Sequence, residues 1–184
     1  MMRATLGLAA VSLLLATSAC GAEEASTLEL TENGLGGLGS GTAYSVEGVS
    51  EALPDYAVTA ENYYAEGDPY PMIVVRDGDK VIAEVLPRFE MEEMVGGIVV
   101  KADDIIFDER VSLGMKYADL SVEPQDCVAG LEERSGLALC RDGKVPHVGL
   151  IFGGDYAGPD GMLPPAEVLA TFTVQEITWS AGVL

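Results

Sequence analysis

The feature that most constrains the fold is a pair of apolar, β-branched segments separated by a short polar turn. Met72–Val75 and Val81–Val85 flank the sequence Arg-Asp-Gly-Asp-Lys, with Asp77-Gly78 near its centre. Asp-Gly between two such segments is a strong signal for a β-hairpin, because both residues tolerate the positive φ angles of a tight turn. The sequence therefore predicts two adjacent antiparallel strands here.

Further strands are predicted on both sides of this hairpin, and the predicted helices are short. The strand segments are 56–60, 96–102 with 105–107 as its extension, 137–140, 148–152 and 174–179. A helix over 46–53 ends before Pro54, which cannot continue it, and one over 166–169 follows Pro164-Pro165. At 184 residues the chain fits one domain. We expect an α+β fold, mainly an antiparallel β-sheet with short helical insertions, in a single domain with one disulfide.

The N-terminus is typical of an exported protein. Arg3 is followed by an apolar stretch over 4–16, then Thr-Ser-Ala and Cys20. This order is the layout of a secretory signal peptide, and a Cys directly after small residues resembles the bacterial lipoprotein signal, although Thr17 replaces its preferred Leu. We expect removal of residues 1–19 and lipidation of Cys20. Ordinary secretion with an unlipidated Cys20 is the alternative.

The residue after Cys20 predicts which membrane holds the protein, and the segment that follows predicts how the domain is attached to it. Gly21, rather than Asp, favours the outer membrane facing the periplasm. Residues 20–43 are expected to be a flexible, glycine-rich tether whose distal end joins the fold, because glycine is costly to order. The domain is placed at 44–184. The alternative is that part of the tether pairs as an edge strand through its leucines, Leu28, Leu30, Leu35 and Leu38.

The two remaining cysteines, Cys127 and Cys140, are expected to form a structural disulfide. Disulfides form in exported proteins, and lipidation of Cys20 accounts for the odd cysteine. A loop this short is worth roughly 3 kcal/mol. Its expected role is to hold the hairpin that carries Arg134. Because His147 is the only histidine, we predict no metal site.

The charge balance limits the possible partners. Thirty Asp and Glu against ten Lys and Arg give a net charge of −20. This excess argues against nucleic acid, which is bound by clustered Lys and Arg. A field of this size attracts basic proteins, so a basic envelope protein is the expected partner beside the membrane that holds the lipid anchor. The acidic clusters are expected to be solvated surface, with calcium binding near Asp155 and Asp160 as an open alternative.

The sequence predicts no catalytic residue and no cofactor. His147 begins an apolar strand and is expected to have no special role. The chain has no Gly-x-Ser-x-Gly elbow and no phosphate-binding loop ending in Lys-Ser or Lys-Thr. Tyr63, Tyr64 and Tyr70 are placed in a loop and expected to pack on the sheet face, with a partner contact as the alternative.

Several motifs together resemble a known family. They are Cys20, the Gly-Ile-Val-Val of 97–100, the pair Cys127 and Cys140, and a closing motif made of Gly158, Pro159, Gly161, Pro164 and Trp179. In order and spacing they resemble the bacterial envelope lipoproteins of unknown function typified by the sigma-E-regulated outer-membrane lipoprotein YfeY. The resemblance implies an outer-membrane lipoprotein linked to envelope stress, and it supplies no catalytic residues.

These observations lead to one expected function and two alternatives. We expect a lipid-anchored cell-envelope protein with a non-enzymatic binding or structural role. One alternative is an inhibitor of a basic hydrolase such as lysozyme, since an acidic protein is attracted to a basic enzyme. The other is a hydrolase that uses paired carboxylates, although no pair among the 30 acidic residues stands out.

Overall fold

The structure is a computed structural model, and it describes residues 28–182. It is mostly antiparallel β-sheet with a few short helices, in one domain, as the sequence predicts. The predicted signal peptide and Cys20 lie outside the described residues. Within residues 28–182, no helix is long and apolar enough to span a membrane.

Eleven strands and two α-helices are described. The strands are β1 (Glu29–Thr31), β2 (Gly34–Leu35), β3 (Ala57–Ala65), β4 (Asp68–Asp77), β5 (Lys80–Arg88), β6 (Met91–Val100), β7 (Ile106–Phe107), β8 (Cys127–Ala129), β9 (Ala138–Arg141), β10 (Val148–Gly153) and β11 (Thr173–Ser180). The helices are α1 (Val46–Ala52) and α2 (Ala166–Leu169).

Eight strands form the main sheet in the order β3-β4-β5-β6-β11-β10-β9-β8, and every neighbouring pair is antiparallel. The predicted hairpin is β4–β5, which turns at Gly78 with φ +56°. The strand order departs from the chain order at the centre of the sheet, where β11 lies between β6 and β10. The last strand of the chain therefore joins two groups of strands that are each consecutive in sequence.

One face of the main sheet carries the hydrophobic core. Alternate residues of the central strands point to this face, and among them Val85, Ile98, Val100, Leu150 and Ile177 are fully buried. The alternation follows from the period of two residues in a β-strand. Helix α1 begins at Ser45, whose hydroxyl accepts the backbone N–H of Gly48 at 3.0 Å. Helix α2 begins directly after Pro164-Pro165, as predicted.

A second sheet, in the order β2-β1-β7, also contributes to the core. Leu30, Leu35 and Leu38 have almost no exposed surface. The expected flexible tether over 20–43 is therefore wrong for residues 28–43, which are part of the fold. The glycines there allow close packing: a Cβ on Gly37 would collide with the carbonyl oxygen of Ala52. The domain consequently begins before residue 44.

Two further expectations need correction. Residues 105–107 do not extend the strand that ends at Val100; they contain β7, which pairs in parallel with β1 in the second sheet. Tyr63, Tyr64 and Tyr70 do not lie in a loop, because β3 and β4 continue as a regular hairpin to a turn at Glu66-Gly67. The residues of β3 and β4 are paired in one register along the whole hairpin, without a bulge.

Candidate binding surface on the open face of the sheet

The face of the main sheet opposite the core is called here the open face. One row of paired residues crosses it from β3 to β9, in the order Thr59, Val74, Glu84, Val99, Thr178, Gly149 and Arg141. Charged, hydroxyl and aliphatic side chains alternate along this row. The open face is therefore amphipathic, unlike the core face.

Four charged residues form a cluster at the centre of the open face. Lys101 Nζ lies 3.1 Å from Glu84 Oε2 and 3.2 Å from Glu176 Oε1. Arg134 Nη2 lies 3.3 Å from the other oxygen of the same carboxylate, Glu176 Oε2. These side chains come from β5, from the residue directly after β6, from β11 and from the β8–β9 loop. Two carboxylates and two cations balance each other, so the cluster carries no net charge.

The protonation of Lys101 follows from its neighbours. Partial burial lowers the pKa of this ammonium group, but the hydrogen bond to Glu84 and the charges of Glu176 and Glu84 oppose burial and raise its pKa above the usual value. Lys101 is therefore a permanent cation near neutral pH. It orders two carboxylates and is unsuited to act as a general base or an amine nucleophile, both of which need a lowered pKa.

Two cavities flank Arg134 on the open face. One, of about 300 Å³, is lined by the charged cluster together with Tyr63, Met72, Leu86 and Val99. The other, of about 320 Å³, is lined by Arg134 and by residues of the strands from β8 to β11, including Val128, Leu139, Ile151 and Thr178. Arg134 is the residue that both cavities share. Arg134 therefore lies at the boundary between the two cavities, which are together called the groove.

A third cleft, of about 630 Å³, opens at the β5–β6 turn. Leu86 lines both this cleft and the 300 Å³ cavity, so the two adjoin at this residue. Beside it, Phe89 is 95% exposed and is followed by Glu90, Glu92 and Glu93. An exposed aromatic ring beside carboxylates is a surface of the kind that contacts other proteins.

The three tyrosines of the β3–β4 hairpin, which were expected to pack on the sheet face, are all exposed. Tyr63 and Tyr70 stack across the two strands, with ring centroids 5.3 Å apart and an interplanar angle of 22°. Tyr64 points to the other side and is 70% exposed. This hairpin projects beyond the core. Tyr63 forms one wall of the 300 Å³ cavity.

The predicted disulfide is confirmed between Cys127 and Cys140, which face each other across β8 and β9. The loop between these strands carries Arg134 over the open face, as expected for a hairpin held by the disulfide. The bridge thus fixes the base of the loop that carries Arg134 to the boundary between the two cavities.

The closing motif does not form one site. Trp179 faces Val148 at the start of β10, whereas the segment with Gly158, Pro159, Gly161 and Pro164 follows the far end of that strand. Gly161 has φ +71°, and a Cβ on Gly158 would collide with the ring of Tyr156. Pro164 is buried. These residues are placed where a turn and close packing need them, so their roles are structural.

The other candidate residues have ordinary environments. His147 Nδ1 lies 2.9 Å from the carbonyl oxygen of Ser180. Lys80 Nζ lies 2.9 Å from Asp103 and 3.0 Å from Asp104, which ties one acidic cluster to a cation. Among the residues that the structure describes, no group of three or more His, Cys, Asp or Glu is arranged to hold a metal ion.

The central cluster was not found from the sequence. Each of its members belongs to a different element, so only the strand register brings them together. A signal was nevertheless present: Glu176 is the single charged residue of β11, Glu84 stands between apolar residues inside β5, and Lys101 directly follows the apolar end of β6. A charge on the outward side of a sheet strand needs solvent or a partner of opposite sign.

Comparison with known proteins gives the family. A family model described as "Protein of unknown function (DUF1131)" matches residues 22–181. The chain belongs to this family. The DUF1131 match includes residues 28–43, in agreement with their place in the core.

One relative is similar to this chain in both sequence and fold. The uncharacterized protein YfeY of Escherichia coli (strain K12) is 25% identical over 156 residues, which cover 84% of this chain and 80% of the relative. The crystal structure of the uncharacterized protein yfeY from Escherichia coli matches with a TM-score of 0.68 at 24% identity, covering 83% of this chain and 99% of that chain. The predicted relationship to YfeY is therefore confirmed, together with the fold.

Proposed function

We propose that this protein is a lipid-anchored cell-envelope protein that binds a partner on the open face of its main sheet and has no catalytic role. The observation that carries the proposal is the groove on that face, where apolar side chains surround a fixed cluster of ion pairs. Binding sites in proteins combine apolar lining with a few placed polar groups in this way. The N-terminal signal and Cys20 support the anchor, and the outer membrane facing the periplasm is the proposed location.

The charges in the groove support binding rather than hydrolysis. A pair of carboxylates that cleaves a glycoside needs one of them protonated at the working pH. Glu84 and Glu176 both form ion pairs with the ammonium group of Lys101, and Glu176 is also paired with Arg134, so neither carboxylate is free to face a substrate. This arrangement suits recognition by charge and shape, and it makes the carboxylate-dependent hydrolase the weaker hypothesis. A link to envelope stress follows only from the sequence resemblance.

The anchor is tested by cell fractionation. The full chain and its Cys20→Ser variant are expressed with their signal peptides, and the membrane and soluble fractions are compared. We expect the wild-type protein in the membrane fraction and the variant in the soluble fraction. Membrane association of Cys20→Ser equal to that of the wild type would contradict lipid anchoring.

The binding role is tested with two matched valine variants. Val128 is 64% exposed at the edge of the groove, and Val46 is exposed at the start of α1, away from the groove. Wild type, Val128→Glu and Val46→Glu are each presented to envelope extract at physiological salt. We expect one partner that wild type and Val46→Glu retain and Val128→Glu loses. Capture of many basic proteins at low salt only, or equal capture by all three variants, would contradict the proposal.

An inhibitor of a basic hydrolase is the second candidate. The observation that favours it is Phe89, which is 95% exposed beside Glu90, Glu92 and Glu93 at a projecting turn. An inhibitor of this type should slow lysozyme at low salt, and its effect should weaken as salt screens the attraction. At the same low salt concentration, Phe89→Ala should inhibit lysozyme less than the wild type does. Lysozyme activity that is independent of the added protein at low salt would exclude this candidate.

A further inference from the structure

Strand β3 is an edge of the main sheet with an unusually open outer side. It is nine residues long, and residues 59–64 are all exposed. Among residues 28–182, no segment hydrogen-bonds to its outer side. A long exposed edge of this kind is a template on which another strand can pair.

The turn at the end of the hairpin shows which backbone groups point outward. Glu66 and Gly67 both have positive φ, 52° and 90°, as in a type I′ turn closed by Ala65 and Asp68. Hydrogen-bonded and non-hydrogen-bonded pairs then alternate back along the hairpin. Tyr64, Asn62 and Ala60 fall on the non-hydrogen-bonded positions, so their N–H and C=O groups face outward from β3.

The matching positions on β4 are closed to pairing. Tyr64 faces Pro69 and Asn62 faces Pro71, so these prolines lie where β4 would present its N–H groups to β5. The pairing of β4 with β5 ends at Ile73, and beyond it proline has no N–H to donate. The hairpin therefore has one edge protected by two prolines and one edge, β3, with no such protection.

Several other devices that normally protect an edge are also absent from β3, although it carries one charged residue, Glu61, which is paired with Arg76. Its sequence, Ala-Val-Thr-Ala-Glu-Asn-Tyr-Tyr-Ala, contains neither proline nor lysine, and its pairing with β4 has no bulge. At the opposite end of the sheet, β8 is only three residues long and joined to β9 by the disulfide. The contrast singles out β3 among the two edges of the main sheet.

We propose that the outer edge of β3, residues 60–64, binds an extended segment of a basic partner protein by strand addition. The inference rests on the proposed binding role and specifies the chemistry of the partner. Main-chain hydrogen bonds supply the attachment, and alternate side chains supply selectivity. The added strand would lie beside Tyr63, at the wall of the groove.

Charge decides the kind of partner. Glu61 is paired with Arg76 at 2.9 Å, but Glu66 and Asp68 at the hairpin tip have no cation within salt-bridge distance among the described residues. The whole chain carries a net charge of −20. A second copy of this chain would therefore be repelled, whereas a strand with Lys or Arg is attracted. Opposite Tyr63 and Tyr64, β-branched side chains give favourable cross-strand contacts.

The test uses the mature full-length chain and a synthetic capped peptide of alternating Lys and Thr, about eight residues long. A second peptide has the same sequence and charge but N-methylated backbone amides on the pairing side, which removes its donors. Asn62→Pro removes one outward N–H of β3 without touching its bonds to β4. Asn62→Thr changes the same side chain and keeps that N–H, so it is the matched control.

We expect the wild type and Asn62→Thr to bind the Lys-Thr peptide with similar affinity at physiological salt. Asn62→Pro and the N-methylated peptide should each weaken binding about tenfold or more, since each loses main-chain hydrogen bonds. Hydrogen exchange at the amides of Ala60, Asn62 and Tyr64 should slow on binding. Circular dichroism checks that Asn62→Pro is folded.

Three results would overturn the inference. Equal binding of the two peptides would mean that charge alone attracts them, and this comparison remains decisive even where Asn62→Pro does not fold. Absence of slowed exchange in β3 would place the peptide elsewhere. A dimer in sedimentation that Asn62→Pro abolishes would assign the edge to a second copy. Val128→Glu leaves β3 unchanged, so peptide binding by that variant separates this inference from the groove proposal.

Discussion

The indole Nε1 of Trp179 donates a 2.9 Å hydrogen bond to the backbone carbonyl oxygen of Glu32, across 147 positions of sequence. Trp179 lies in β11, one of the two central strands of the main sheet, and is 3% exposed. Glu32 lies in the turn between β1 and β2. The bond therefore links the second sheet to the centre of the main sheet, which explains how the glycine-rich segment is held in place.

Replacing Trp179 by Phe should destabilise the fold by about 1–3 kcal/mol, because the indole donor is lost and a smaller ring fills its space. Denaturant unfolding is monitored by circular dichroism. Tryptophan fluorescence is not suitable, because Trp179 is the one tryptophan of the chain and the variant removes it. Glu32→Ala is the control. It removes only the side chain and keeps the carbonyl acceptor, so its stability should stay close to wild type. Equal loss in both variants would show that the bond is not the cause.

Leu35→Ala should cost about 2–5 kcal/mol of unfolding free energy, because its side chain is fully buried and its removal leaves a cavity. Leu131→Ala, at a leucine that is 62% exposed, should change stability by less than about 0.5 kcal/mol. Thermal or denaturant unfolding compares the two. A similar small effect in both would mean that residues 28–43 are not held in the core.

The strands were predictable from the sequence where alternation or a turn marked them, as at Asp77-Gly78 and in 174–179. The second sheet was not, because Leu35 and Leu38 stand among glycines, and glycine required for close packing is indistinguishable by composition from glycine in a flexible linker. The β3–β4 extension was missed because Pro69 and Pro71 argue against a strand. Both prolines are tolerated because they lie on positions that need no N–H.

The candidate site was less predictable than the fold. Lys101 and Glu176 are 75 positions apart and meet only because β11 is inserted beside β6. Local patterns predict strands but not their order, and the order depends on which apolar faces bury best together. The charges alone gave no way to choose one pair of acidic residues among many.

Reduction of the Cys127–Cys140 bridge should lower stability by roughly 3 kcal/mol, because the reduced unfolded chain gains loop entropy. For a domain of this size the melting temperature should fall by several degrees. Thermal unfolding with and without reductant measures the change. The double variant Cys127→Ala/Cys140→Ala should melt at one temperature in both conditions, and a reductant effect that persists in it would have another cause.

The pKa of Tyr44 should lie well above the ordinary value for tyrosine. Burial, with a smaller contribution from the charge of Tyr63, raises its pKa from 10.0 to about 12. The neutral phenol is favoured in the fold, so its contribution to stability is complete below pH 10 and is lost as the pH rises towards 12. Tyr44→Phe should remove a step near pH 12 from a phenolate absorbance titration. An unchanged titration near pH 12 in this variant would contradict the assignment.

The same variant tests a buried hydroxyl. The Tyr44 hydroxyl is buried and has no hydrogen-bond partner within the described structure, so its removal should leave stability near neutral pH within about 1 kcal/mol of wild type or slightly higher. Tyr64→Phe, at an exposed tyrosine, is the control for the substitution itself. Denaturant unfolding near neutral pH compares them, and a large loss in Tyr44→Phe alone would indicate a hydrogen bond to this hydroxyl.

Lys101→Met should destabilise the fold by about 1–2 kcal/mol near neutral pH, because Glu84 and Glu176 lose the cation between them while staying half-buried. The raised pKa of Lys101 sets the pH dependence. The ammonium form is favoured in the fold, so the advantage of wild type is complete below the ordinary lysine pKa and disappears as the pH rises through the raised value. Denaturant unfolding of both proteins at neutral and strongly alkaline pH measures the difference. Lys80→Met, at an exposed lysine, should show a smaller effect, and equal effects of the two variants would mean that the open-face cluster has no special role.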